Sequence, residues 1–226
     1  PSYDPSGYHF GSVWPLFTGW ASVGEYRYHR STPAYANLRA NALLALDGAL
    51  GRVTEVLSGD YYQGLSTSSP HQIWSSAMVV SPLLRGLFGL SVDAPGGRVR
   101  LAPHLPADWD SFEMANVRVG DTRLNFLLRR SPEAIELVVR KTGPASPIVE
   151  FAPALSPRAE VTGVELDGRR LQFRIDAHGT DQHVRLSFPA VSGQGLIRIR
   201  LRDDFRFVVS APLPPLGAAS RNLKVT

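Results

Sequence analysis

The chain has 226 residues, of which 43% are hydrophobic and 19% charged, a balance that excludes wholesale disorder and leaves room for one large domain or two small ones. Its 24 basic residues against 20 acidic ones give a net charge of +4, but the arginines stand singly or in pairs such as Arg129-Arg130 and Arg169-Arg170, so no basic block points to nucleic acid. The absence of cysteine excludes a disulfide framework and a thiolate metal site, and the longest apolar stretch, 77–90, is broken by Ser81, Pro82, Arg85 and Gly86, which excludes a membrane span.

The first 91 residues have the hydrophobic period of helices, and residues 92–226 that of strands. A first helix is expected over about 13–30, with Ser12 as N-cap and Pro15 in the first turn, where a missing N–H costs little. A second, rich in Ala and Leu, is expected over about 33–50, ending at Gly51. A third is expected over about 71–90, kinked or restarted at Pro82 because proline removes an intrahelical hydrogen bond. These helices carry more apolar surface than one contact with a sheet domain would hide, so a further barrel portion or a second copy of the chain is expected to cover them.

After Pro95-Gly96-Gly97 the pattern shortens to alternating runs at 99–101, 116–119, 123–129, 134–139, 148–151, 163–166, 169–175 and 182–188. Turn signals such as Gly120-Asp121, Asp167-Gly168 and Pro189 separate them. One or two more strands are expected within 196–209, then a proline-rich segment at 211–215. Short strands at this spacing predict an antiparallel β-sandwich. The fold class is therefore α+β, a helical segment followed by a sandwich, with no internal repeat.

Chemistry-bearing residues gather in two loops of the helical half. Tyr8-His9-Phe10-Gly11-Ser12-Val13-Trp14-Pro15 combines aromatic faces, which stack on the C–H surface of a pyranose, with an imidazole that can hold hydroxyls. Equally, Trp14 can be a core residue at a helix start and His9 the partner of a backbone carbonyl. Residues 53–62 carry Glu55, Asp60, Tyr61 and Tyr62, and lead through a Gly/Ser/Thr-rich loop to Pro70-His71-Gln72-Ile73-Trp74-Ser75-Ser76. A glycosidase needs two carboxyl groups flanking the scissile bond, and Glu55 is a candidate base; it also reads as a solvated loop carboxylate or a helix-cap acceptor. Asp60 follows glycine, a common turn pair. The six histidines, His9, His29, His71, His104, His178 and His183, lack metal-ligand spacing, and no phosphate loop or nucleophile elbow is present. No metal or organic cofactor is expected.

Together these segments resemble the C-terminal end of six-hairpin, (α/α)6-barrel glycosidases, nearest to bacterial proteins related to the amylo-α-1,6-glucosidase part of glycogen-debranching enzymes. Residues 8–15 are similar to that family's Tyr-His-x-Gly-x-Val-Trp-Pro element. Thr54-Glu55-Val56-Leu57-Ser58-Gly59-Asp60 is similar to its Ser-Glu-Ile-Phe-x-Gly-Asp stretch, and Gln72-Ile73-Trp74-Ser75 to its Gln-Ala-Trp-Ser element. Arg98-Val99-Arg100-Leu101-Ala102-Pro103-His104-Leu105-Pro106-Ala107-Asp108-Trp109 resembles the sandwich opening that follows the barrel in several such bacterial enzymes. α-L-Rhamnosidases, glucoamylases and trehalases share the barrel. The resemblance implies Glu55 as general base of an inverting hydrolysis and His9, Trp14, Asp60, His71 and Trp74 as sugar-binding residues. It also implies an oligosaccharide or polysaccharide substrate. Because Pro1 is not a translation start and a full barrel needs about twelve helices, the general acid is expected upstream. A non-catalytic carbohydrate-binding or structural sandwich module is the alternative, with Trp109 as the sandwich's sole large ring of the sugar-stacking kind.

Overall fold

The computed structural model describes residues 2–202; the segment 203–209, expected to continue a strand, and the proline-rich 211–215 lie outside the described residues. Three helices come first: α1 (Pro15–Arg27), α2 (Ser31–Leu44) and α3 (Ile73–Ser81), the last continued by a π-helical segment, Pro82–Leu87. Twelve strands follow. They are β1 (Ser91–Asp93), β2 (Arg98–Leu101), β3 (Ser111–Val119), β4 (Thr122–Arg130), β5 (Ala134–Thr142) and β6 (Ile148–Phe151), then β7 (Ala154–Leu155), β8 (Glu160–Leu166), β9 (Arg169–Arg170), β10 (Arg174–Ala177), β11 (Gln182–Pro189) and β12 (Gly193–Arg202).

Each helix is shorter than its periodicity suggests, for a local reason. Trp14, not Ser12, is the N-cap of α1 and caps it with no side-chain bond. The Ser12 hydroxyl instead donates to the Tyr8 carbonyl and accepts from the Trp14 indole N–H at 3.0 Å. The second helix stops at Leu44 rather than at Gly51, and residues 45–52 form turns that reach the positive-φ Gly48 and Gly51. Pro82 does mark a break in the third helix: the backbone changes there from α to π, a widening that accommodates the missing N–H.

Small and polar residues let the helices approach closely. A Cβ at Gly19 would overlap the Met78 side chain, and one at Gly86 would overlap the Tyr26 ring. Buried Asn41 donates to the Pro15 carbonyl at 2.8 Å and to the Met78 carbonyl at 3.2 Å, so one amide ties α1, α2 and α3 together. Buried Ser22 donates to the Ala34 carbonyl at 2.7 Å. Outside these contacts the helices leave apolar side chains uncovered, with Phe17, Trp20, Ile73 and Val80 each more than half exposed.

The strands form two facing sheets, ordered β1-β2-β6-β11-β10, with β7 added to β11, and β3-β4-β5-β12-β8-β9. All pairs are antiparallel except β2 with β6, which is parallel. Alternation sends Leu124, Phe126 and Leu128 of β4, Leu137 of β5 and Ile197 and Ile199 of β12 inward against Val99, Leu101, Val149 and Phe151 of the other sheet. On the outer face the arginines of β12 pair across strands: Arg198 with Glu136 at 2.6 Å, Arg200 with Glu165 at 3.2 Å and Arg202 with Glu160 at 3.3 Å. Three arginines of one strand are thus matched locally. The run at 169–175 divides into two strands in different sheets, β9 and β10, while Asp167 and Gly168 make a positive-φ hairpin turn.

The two halves meet along the π-helical segment and the chain after β2. The Ala102 N–H donates to the Phe88 carbonyl and the His104 N–H to the Leu87 carbonyl at 2.8 Å. Phe88 packs on Phe112 with ring centroids 4.7 Å apart. Trp109 sits edge-on to Tyr35 of α2, beside the cluster of Tyr26, Ala34, Leu38 and Leu87.

Candidate functional site

Glu55 lies on an irregular segment held between two others by backbone bonds. Leu57 exchanges both bonds with Val13 at 2.9 Å, the Glu55 N–H donates to the Ser69 carbonyl at 2.9 Å, and the Gln72 N–H donates to the Val53 carbonyl at 2.9 Å. Val53 and Val56 are fully buried and anchor the segment from below. Two glycines permit the close approach. A Cβ on Gly59 would overlap the Gly11 carbonyl oxygen and the Tyr3 hydroxyl, and one on Gly11 would overlap the Asp4 carbonyl.

The Glu55 side chain, 8% exposed, is met by three donors. The Tyr8 hydroxyl donates to Oε1 at 2.7 Å, the Gln72 amide donates to Oε1 at 3.3 Å, and the Ser69 N–H donates to Oε2 at 3.2 Å. The Tyr8 hydrogen bond, with those from Ser69 and Gln72, outweighs burial and holds the carboxyl below its ordinary range, so the group is a carboxylate at neutral pH. The same bond pushes the Tyr8 phenol up. Oε1 has both lone pairs engaged, whereas Oε2 keeps one to offer a water or a hydroxyl. Gln72 has a second role: its Oε1 accepts from the Ile73 N–H at 3.0 Å and caps α3.

Tyr8 joins this carboxylate to a group of aromatic rings. His9 stacks on Trp14 at 5.8 Å with planes 10° apart, and Tyr8 lies edge-on to both, at 4.8 Å and 4.9 Å. The indole N–H also reaches the Tyr8 backbone carbonyl at 3.2 Å, which ties the indole to Tyr8. Three of the expected site residues, His9, Trp14 and Glu55, therefore come together through Tyr8. Asp60 stands apart: it accepts from the Tyr3 hydroxyl at 3.2 Å and lines a cavity of about 400 Å³ with Tyr61, Tyr62, Asn37, Asn41 and Thr18. His71 and Trp74 are exposed at the start of α3, and among the described residues no ring contact joins them to the Tyr8 group. Tyr8 and Gln72, neither expected to be a site residue, make two of the three bonds to Glu55; both stand inside motifs that were legible, but no spacing rule connects positions 8, 55 and 72.

A second polar group lies at the seam between the halves. His29 follows α1 in a left-handed conformation, φ 60°, and its carbonyl accepts from the Thr180 hydroxyl at 2.7 Å. Its Nδ1 lies 3.0 Å from the Asp181 carboxylate. His183 on β11, 2% exposed, lies with its Nε2 3.5 Å from the same carboxylate. The His104 ring is 4.9 Å from that of His183. Burial pushes the His104 imidazole down to about 4, so it is neutral. Burial works against the Asp181 carboxylate, yet His183 and His29 outweigh it and hold the group below its ordinary range.

No family model and no curated relative matches this chain. Among solved structures, the α-L-rhamnosidase from Dictyoglumus thermophilum matches 82% of this chain and 21% of its own, with a TM-score of 0.55 at 12% identity. A glycoside hydrolase matches 82% of this chain and 31% of its own, with a TM-score of 0.41 at 10% identity. The Streptomyces avermitilis α-L-rhamnosidase matches 60% of this chain and 12% of its own, with a TM-score of 0.33 at 13% identity. The chain thus spans about a fifth of the length of the Dictyoglumus protein. The likeness to the Dictyoglumus rhamnosidase is one of fold, and it does not single out the debranching family.

Proposed function

We propose that this chain supplies the base side of a glycoside hydrolase active site, with Glu55 activating a water for inverting hydrolysis. The observation that carries the reading is the Glu55 carboxylate, kept ionised by Tyr8 and retaining one free acceptor position on Oε2, beside the stacked His9 and Trp14 rings. A base must be deprotonated at working pH and must hold one lone pair for the water. The adjacent rings suit the C–H face of a sugar. The general acid lies on a barrel portion outside this chain, roughly 6.5–9.5 Å from Glu55 across the bond; that portion also covers the apolar side chains left open on α1 and α3. His71, Trp74 and Asp60 line outer parts of the substrate path, and an amylo-α-1,6-glucosidase-like specificity rests on motif order alone.

The sandwich has a different role. Trp109, the ring a sugar-binding module would use, packs on Tyr35 of α2, which favours a supporting function for this half. The decisive experiment is Glu55→Gln in the longest protein that carries this chain, assayed on aryl α-glucosides and α-rhamnosides. Loss of turnover with substrate binding and thermal stability intact supports the base role; an unchanged rate removes Glu55 from the mechanism.

A further inference from the structure

We propose that His29, His104, Asp181 and His183 form a binding site for a divalent ion of the zinc class that fastens the helical half to the sandwich. One ligand atom from each residue lies within 4.8 Å of the other three, against roughly 3.3 Å along the edge of a tetrahedron with ~2.0 Å bonds. Small side-chain rotations close that gap.

Hydrogen-bond chemistry argues for a cation more strongly than proximity does. The His183 Nδ1 is 2.7 Å from the Ala152 carbonyl; a carbonyl only accepts, so Nδ1 carries the proton. The nitrogen left to ligate is Nε2, which faces the Asp181 carboxylate at 3.5 Å and is buried without a hydrogen-bond partner. A cation there gives that buried nitrogen the partner it lacks. Both ring nitrogens of His104 are likewise buried without a hydrogen-bond partner. A metal ion gives His183 Nε2, one His104 nitrogen and the Asp181 carboxylate a common partner, and a backbone bond that sets the tautomer of a ligating histidine is the usual supporting arrangement.

The donor set selects the ion. Three imidazoles and one carboxylate suit zinc or cobalt, whereas magnesium and calcium prefer oxygen. A cavity of about 350 Å³ bordered by Tyr26, His29, Gly86, His104 and His183 provides access. Arg185 at its wall is turned onto Asp176 by an ion pair. His29 occupies a backbone conformation that a β-carbon-bearing residue seldom adopts, as strained residues at ligand sites often do. The ligands come from the end of α1, the chain after β2 and the start of β11, so bound metal crosslinks elements far apart in sequence.

The test uses the 226-residue chain stripped by a chelator and dialysed, then titrated with Zn²⁺ by calorimetry and with Co²⁺ by visible absorption. The expected result is one equivalent bound, an intense four-coordinate Co²⁺ spectrum, and a Tm increase of roughly 5 °C or more at a hundredfold excess of free ion over Kd. His183→Gln and the less buried His29→Gln are each expected to weaken binding at least tenfold, and Mg²⁺ and Ca²⁺ to leave Tm unchanged. If neither Zn²⁺ nor Co²⁺ binds, the cluster is held by a proton on His183 and the proposal fails. It fails equally if both variants bind like the wild-type chain, since the ion is then on other histidines such as His9 or His71.

Discussion

Two buried polar groups, Glu55 in the helical half and the histidine cluster at the seam, resolve the cost of burial in opposite ways. The Glu55 carboxylate collects a phenol, an amide and a backbone N–H, so its charge is stabilised by groups of the chain itself. The seam cluster has Asp181 among three histidines yet leaves Nε2 of His183 and both nitrogens of His104 without a hydrogen-bond partner. A satisfied carboxylate with one spare lone pair is ready to act on a small molecule; unmatched ligand atoms facing inward call for an ion.

The largest effect that tests this contrast is Glu55→Gln, expected to lower turnover by about 10²–10⁴-fold while Tyr8 still donates to the new amide oxygen, so circular dichroism and Tm change little. Next is Gly59→Ala, whose methyl would meet the Gly11 carbonyl and the Tyr3 hydroxyl; overpacking of this kind costs about 1–3 kcal/mol. Chemical denaturation measures that loss, and zinc binding at the seam should survive it. Tyr8→Phe removes the strongest support for the ionised carboxyl. Because Glu55 must be deprotonated to act and Tyr8 holds its pKa down, the acid limb of the pH–rate profile should move to higher pH, with any stability Glu55 contributes also lost at higher pH as the medium is acidified. A limb that stays in place assigns it to another group. The smallest effect is expected for Arg198→Ala, which breaks a partly exposed pair with Glu136 and should cost under about 1 kcal/mol by denaturation, since this ladder is screened by solvent.

The helices show where sequence patterning runs short. Periodicity locates all three, and Pro82 marks a break, but the expected end of the second helix lies too far out because Leu46, Ala49 and Leu50 continue the apolar pattern after α-helical bonding has given way to turns. Leu46 and Leu50 are largely exposed. In the sandwich, strict alternation in β4, β5 and β12 made inward and outward faces readable directly. The split of 169–175 between two sheets was not readable, because one apolar run looks the same whether the chain stays in its sheet or crosses to the other. At the site, Glu55, His9 and Trp14 were singled out by residue type within short motifs. Asp60, His71 and Trp74 shared those motifs but not the Tyr8-centred contacts.

What the sequence by itself determined is local: the period of each segment, the turn at Asp167-Gly168, the helix break at Pro82, and the chemical character of the two loops, since these depend on neighbours a few residues away. Only the tertiary structure decided that Tyr8 would meet Glu55 across 47 positions and that His29 would meet Asp181 across 152. Side-chain chemistry at such separations is set by how sheets and helices pack, and packing at the seam depends on glycines and buried hydrogen bonds whose partners no spacing in the chain reveals.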